Sequence, residues 1–134
     1  MSGRGERWLA FAAEDLKAGE ALVREQVWSQ ACFHAQQCVE KALKAVIAER
    51  SGGAPPRIHA IAELLEMIPE GWFVDLRSDL RDTLDDYYLP TRYPDAVPGT
   101  LPTGLPAEEE AREAIELARK LFQEVGRLLG LSSD

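Results

Sequence analysis

At 134 residues and 46% hydrophobic content, the chain suits one globular domain built on one core, spanning 1–134, and its composition excludes disorder. The formal net charge of -8 opposes general nucleic-acid binding, which needs clustered Lys and Arg, so any anion site must be local. No run of roughly 18 apolar residues exists and the start, Met1 to Arg7, is polar, which excludes a spanning helix or a signal peptide and predicts a cytoplasmic protein with no membrane partner.

In chain order, placing residues at about 100° intervals gives a first helix from about Glu6 to Glu25, with Trp8, Phe11, Ala12, Leu16, Gly19, Leu22 and Val23 on one face. Asp15 falls inside that apolar arc, where a carboxylate needs a partner; Lys41 and His34 are the candidates. Gly19 leaves room for a close neighbour. A second helix is predicted from Ser29, as N-cap, to about Arg50, where Ser51-Gly52-Gly53 and Pro55-Pro56 forbid continuation. Its apolar arc is wide: Ala31, Ala35, Cys38, Ala42 and Ala45 form a small-residue seam, and Cys32, Val39, Leu43, Val46 and Ile47 extend it beyond the stripe of roughly 100° that a surface helix carries. Such a helix either has neighbours all round or lends Val39, Leu43 and Ile47 to a homodimer interface. Cys32 and Cys38 lie too far apart along this helix for a disulfide and are expected to be reduced packing residues.

A short third helix, about His59 to Ile68, turns Ile61, Leu64, Leu65 and Ile68 inward and stops at Pro69 and Gly71. A fourth, Trp72 to about Tyr88, aligns Phe73, Leu76, Leu80, Leu84 and Tyr87 opposite a solvated face of Asp75, Asp79, Asp82 and Asp86. The fifth, about Pro106 to Leu129, aligns Ala111, Ala114, Ala118, Leu121, Phe122, Val125 and Leu129, with Pro106 in its first turn and Glu108 to Glu110 suited to its dipole. Between the last two lies Leu89 to Leu105, either a functional loop, given its length, or a proline-stiffened crossover. The expected fold is therefore all-α. Asn is absent and Gln sparse, a bias that heat adaptation, as in a thermophile, or a GC-rich genome would produce.

Chemistry concentrates on the second helix. His34, Gln37, Lys41 and Lys44 recur at helical spacing and so share one polar stripe beside the apolar arc. In an acidic chain a Lys pair one turn apart reads as an isolated positive spot suited to phosphate, with His34 and Gln37 as directional partners; the alternative is a solvated face carrying a Glu40–Lys44 pair. Arg92 could grip phosphate oxygens bidentately and Tyr93 could stack on a base. There is no Gly-rich phosphate loop, nucleophile elbow or Glu-x-x-His motif, and with two His and two Cys a metal site is not expected; neither catalytic residues nor cofactors are assigned. His59 is expected to cap or pack.

Three blocks carry a family resemblance: Asp15-Leu16 with Ala18 and Leu22; the run Ala31-Cys32-Phe33-His34-Ala35-Gln36-Gln37-Cys38-Val39-Glu40-Lys41-Ala42-Leu43-Lys44-Ala45; and Tyr88 followed by Thr91-Arg92-Tyr93-Pro94-Asp95. In order and spacing these resemble HEPN, the higher eukaryotes and prokaryotes nucleotide-binding domain family. The resemblance implies an up-and-down four-helix bundle with an additional short helix, a homodimer, and in bacteria a small nucleotidyltransferase partner in a toxin-antitoxin type of pair. It maps a nucleotide site onto His34, Gln37, Lys41, Arg92, Tyr93 and Asp95, with Lys44 on the same stripe. HEPN RNases use an Arg a few residues ahead of a His in the last major helix. No histidine follows His59 here, and neither histidine has an Arg so placed, so the expected role is noncatalytic nucleotide or partner binding, with a structural dimeric adaptor or a metal-independent RNase as alternatives.

Overall fold

The structure, a computed structural model, describes residues 3–87 and 105–130, and all regular secondary structure among them is helical. α1 covers Gly3–Arg24 and α2 covers Trp28–Ser51. Between them Gln26 adopts a φ of 63°, and the Val27 N–H donates to the Leu22 carbonyl at 2.8 Å, a left-handed helix ending that turns the chain back on itself. The antiparallel register follows from side-chain meetings: Gly5 lies against Ala45 and Glu49, Asp15 against His34 and Lys41, and Gly19 against Ala31 and His34. The tight backbone approach is at Gly5, where a Cβ would stand 3.2 Å from the Ala45 carbonyl oxygen; at Gly19 the intruder is the Ile115 side chain. Ser29 is not the N-cap of α2. Val27 holds that position without a side-chain hydrogen bond, because its carbonyl already accepts from the Ala31 N–H at 3.1 Å and the helix starts earlier than Ser29 would allow.

α2 is the central element. Ala31, Ala35, Cys38, Ala42 and Ala45 are fully buried, as are Val39, Leu43 and Val46, and Ile47 nearly so. The wide arc is thus consumed by α1, by the last helix and by the short segments around it. Val39, Leu43 and Ile47 are not a free face, and a homodimer would have to use another surface. On α1 the inward line is Leu9, Ala12, Leu16 and Gly19, whereas Phe11 is 56% exposed, contrary to the expected face: it falls more than roughly 100° round the helix from the Leu9–Leu16 line.

α3, Ile61–Glu66, is shorter than predicted. It begins at Ile61 because the Asp85 carboxylate, from far along the chain, accepts from the Ile61 and Ala62 N–H groups at 2.6 and 3.1 Å and so takes the part of an N-cap. The single fourth helix is a correction. Trp72 to Leu76 form turns with Phe73 at a φ of 57°, α4 proper is Arg77–Asp79, and it runs on as a π-helical Leu80–Leu84 and a 3₁₀ turn Asp85–Tyr87. Phe73, Leu80, Leu84 and Tyr87 still point inward, so the apolar period survives while the hydrogen-bond ladder does not. Arg77 donates to the carbonyls of Trp72, Leu65, Ile68 and Pro69, tying the end of α3 to the turns that follow it. α5, Glu108–Leu128, starts after Ala107, whose N–H donates to Glu110 at 2.7 Å. Pro106 accordingly precedes the helix rather than sitting in its first turn. Among the described residues no helix is long and apolar enough to cross a membrane.

Candidate functional site

Two carboxylates organise the polar chemistry of α2, and they do so on adjacent flanks. Asp15, reaching across from α1, is buried. Its Oδ2 accepts from the Lys41 ammonium at 2.6 Å, and its Oδ1 lies 2.8 Å from His34 Nδ1. A carboxylate offers no proton, so Nδ1–H donates, and in the neutral ring this leaves Nε2 as an acceptor for something else. Burial pushes the Asp15 carboxyl up, but the hydrogen bonds from His34 and Lys41, with their charges, outweigh it and hold it below its ordinary value. His34 and Lys41 keep 29% and 27% of their side-chain surface in solvent, and the Phe33 ring meets the imidazole edge-on.

The second centre is Glu40. Its carboxylate accepts from Lys44 at 2.9 Å and lies 3.0 Å from His59 Nδ1, while Gln36 and Gln37 approach it at 3.5 and 3.4 Å. Gln36 also donates to the His59 carbonyl, which pins the loop leading to α3, and Gln37 donates to Gln36. Here the pair is nearly dry: the Lys44 and Glu40 side chains are 6% and 4% exposed, and the Lys44 ammonium stands over the Trp8 ring, 5.5 Å from its centroid.

The single predicted stripe is therefore split in two. His34 and Lys41 stay together on Asp15; Gln37 and Lys44 belong to the Glu40 network, and Lys44 is buried rather than lying on a solvated face. Nor do the two lysines make an isolated positive spot, since each rests on a carboxylate. Gln36, Glu40 and His59 were not singled out from the sequence as site residues. The Gln36–Glu40–Lys44 spacing, a ladder of i,i+4 positions bordering the apolar arc, is the signal that would have found two of them. Arg92, Tyr93 and Asp95 lie outside the described residues. The described chain before them ends at Tyr87, a buried residue whose hydroxyl hydrogen-bonds the Cys32 sulfur, two positions before His34 on α2. Burial pushes the Cys32 thiol up to about 11, partly offset by Tyr87, and Cys38 is raised by burial as well; both are free. Among the described residues no group of His, Cys, Asp and Glu could hold a metal ion.

The fold has counterparts elsewhere. TT1696 from Thermus thermophilus, known from a crystal structure, is 35% identical, superposes with a TM-score of 0.74, and matches over 94% of this chain and 98% of its own. A second crystal structure, of ST0689, an archaeal HEPN homologue, is 26% identical with a TM-score of 0.67, over 96% of this chain and 99% of that one. Comparison with curated proteins finds no match. The model of the HEPN domain family matches residues 5–128, a span that holds both carboxylate centres and nearly all of the helical structure. The chain belongs to the HEPN domain family.

Proposed function

We propose that this HEPN domain is noncatalytic and binds a nucleotide, either free or carried by a small nucleotidyltransferase partner of the toxin-antitoxin type, at the seam of α1 and α2 around His34 and Lys41. The observation that carries the reading is the Asp15 bridge: one buried carboxylate fixes two side chains with directional hydrogen-bonding atoms while over a quarter of each remains in solvent. Fixed and accessible is what a recognition site needs, because the orientation is set before the ligand arrives. Asp15 neutralises Lys41, so affinity for phosphate depends on an additional cation, and Arg92, five residues beyond the Cys32-tethered Tyr87, is the candidate. Tyr93 would then supply the ring for the base and Asp95 a hydrogen-bond acceptor.

Titration calorimetry with mono-, di- and triphosphates tests this. Lys41→Ala and Arg92→Ala weaken all three, and Tyr93→Ala reduces the preference among bases. RNA incubated with the purified chain stays intact; specific cleavage abolished by His34→Ala would make the domain an RNase instead. A structural dimeric adaptor is the second reading, favoured by the neutralised lysines. It takes over if no nucleotide binds at millimolar concentration to the folded chain.

A further inference from the structure

A different end of the molecule holds the cations that helix two does not leave free. Half of the described lysines and arginines are committed elsewhere. Lys41 and Lys44 rest on carboxylates, Arg112, Arg119 and Arg127 pair with glutamates, Arg77 donates to carbonyls, and Arg50 lies over the Trp72 ring. Arg4 and Arg7, from the first turns of α1, and Arg57, from the loop after α2, are among the remainder and come together at one end of the molecule. All three are exposed, and among the described residues none of them forms an ion pair; Arg4 donates to the Gly52 carbonyl.

These guanidinium groups line one cavity of about 440 Å³, whose other walls are Trp8, Gly53, Ala54, Pro55 and Pro56. Among the described residues no carboxylate lines it. Glu49, the acid of the neighbouring turn of α2, packs under Gly5 and is not part of the wall. The contrast with the cavity between α1 and α5 is direct: that one, of similar size, also holds three arginines but places Glu20 and Glu116 among them. The walls are stiff as well. Gly52 ends α2 at a φ of 73°, and Pro55 and Pro56 fix their own φ, so Arg57 is presented by a loop with little freedom left to lose. The volume falls within the usual range for small-molecule sites, roughly 300 to 1,000 Å³.

We propose that this cavity is a binding site for a small molecule carrying two or more adjacent phosphates. One phosphate would occupy one or two guanidinium forks; three forks around one cavity, with no carboxylate among its described lining residues, match a diphosphate or longer chain. The half-buried indole of Trp8 and the prolines give an apolar wall that an attached ring could lie against. The shared chemistry is the condensed phosphate, whether inorganic or borne by a nucleoside. The site is separate from the one proposed above: Arg7 and Asp15 are eight residues apart on α1, about 12 Å of helix.

Calorimetry of the full chain with pyrophosphate, tripolyphosphate, ADP and adenosine tests it. Pyrophosphate and tripolyphosphate bind, adenosine alone does not, and Arg7→Ala or Arg57→Ala each weakens binding by about tenfold, the loss expected for one charge-assisted contact. ADP binding tighter than pyrophosphate, with the advantage gone in Trp8→Phe, would identify a nucleoside as the source; equal binding would identify the inorganic chain. The proposal is overturned if neither phosphate chain binds at millimolar concentration, or if the folded Arg7→Ala, Arg57→Ala double variant binds as well as the parent. Binding that disappears with Lys41→Ala and survives both arginine changes would also overturn it, and would assign the ligand to the seam at Asp15.

Discussion

Asp15 and Glu40 are each a buried carboxylate with a lysine and a histidine on it, both clusters involve the same helix, and yet they differ in what they can do. Glu40 and Lys44 belong to one helix and are sealed beneath Trp8, so the pair is dry and its geometry is set by backbone spacing. Asp15 belongs to the other helix, and its two partners stay partly wet. A dry pair is expensive to break and has nothing to offer a ligand, whereas a half-wet pair costs less to break and can exchange part of its hydrogen bonding. Residue type did not separate the two roles; solvent access did.

The sharpest way to break that comparison is Glu40→Gln, which leaves the Lys44 ammonium buried with no counter-charge. It is expected to cost about 3 to 5 kcal/mol of stability in denaturant unfolding, and a midpoint within error of the parent would mean that Lys44 reaches water. Asp15→Asn should cost less, about 1.5 to 3 kcal/mol, because Lys41 and His34 can turn to solvent. The pH dependence separates the two contributions further. Asp15 has a folded-state pKa below its unfolded value, so its stabilisation is complete above the ordinary carboxylate range and is lost as pH falls through the folded pKa. The Asn variant should therefore approach the parent in stability as the pH falls below the ordinary carboxylate range; a stability gap that stays constant there would assign the effect to packing alone.

Smaller again is Tyr87→Phe, which removes the hydrogen bond to Cys32 and should cost about 0.5 to 1.5 kcal/mol, with faster alkylation of Cys32 as a second readout because its burial loosens. Least of all is Arg119→Ala. The Arg119 pairs with Glu20 and Glu116 are about a third or more exposed, and a change above roughly 1 kcal/mol in thermal or denaturant unfolding would contradict their surface character.

What could be read in advance follows the same division. Helices with one strong apolar period, α1, α2 and α5, were legible because burial and sequence period coincide. The fourth helix was not, since Phe73, Leu80, Leu84 and Tyr87 keep their inward order through turns, a π segment and a 3₁₀ turn, and periodicity reports which residues are buried rather than which carbonyl each N–H finds. Asp15 was legible as a charge misplaced in an apolar arc. Glu40 was not: on the border of the arc a Glu–Lys spacing of four looks the same wet or dry, and only the position of Trp8, on another helix, decides it. The arginine cavity was likewise invisible, because Arg4, Arg7 and Arg57 are brought together by the antiparallel return of α2 and the loop beyond it.

The chain has two histidines, one in each cluster, and this provides the most direct measurement. In a histidine-selective NMR spectrum of the full chain carrying Arg7→Ala and Arg57→Ala, which disables the arginine cavity, addition of a nucleoside triphosphate should move the His34 ring signals and leave those of His59 in place, with Lys41→Ala removing the response. If neither histidine responds at millimolar nucleotide, or if His59 moves while His34 stays still, the Asp15 seam is not the recognition site.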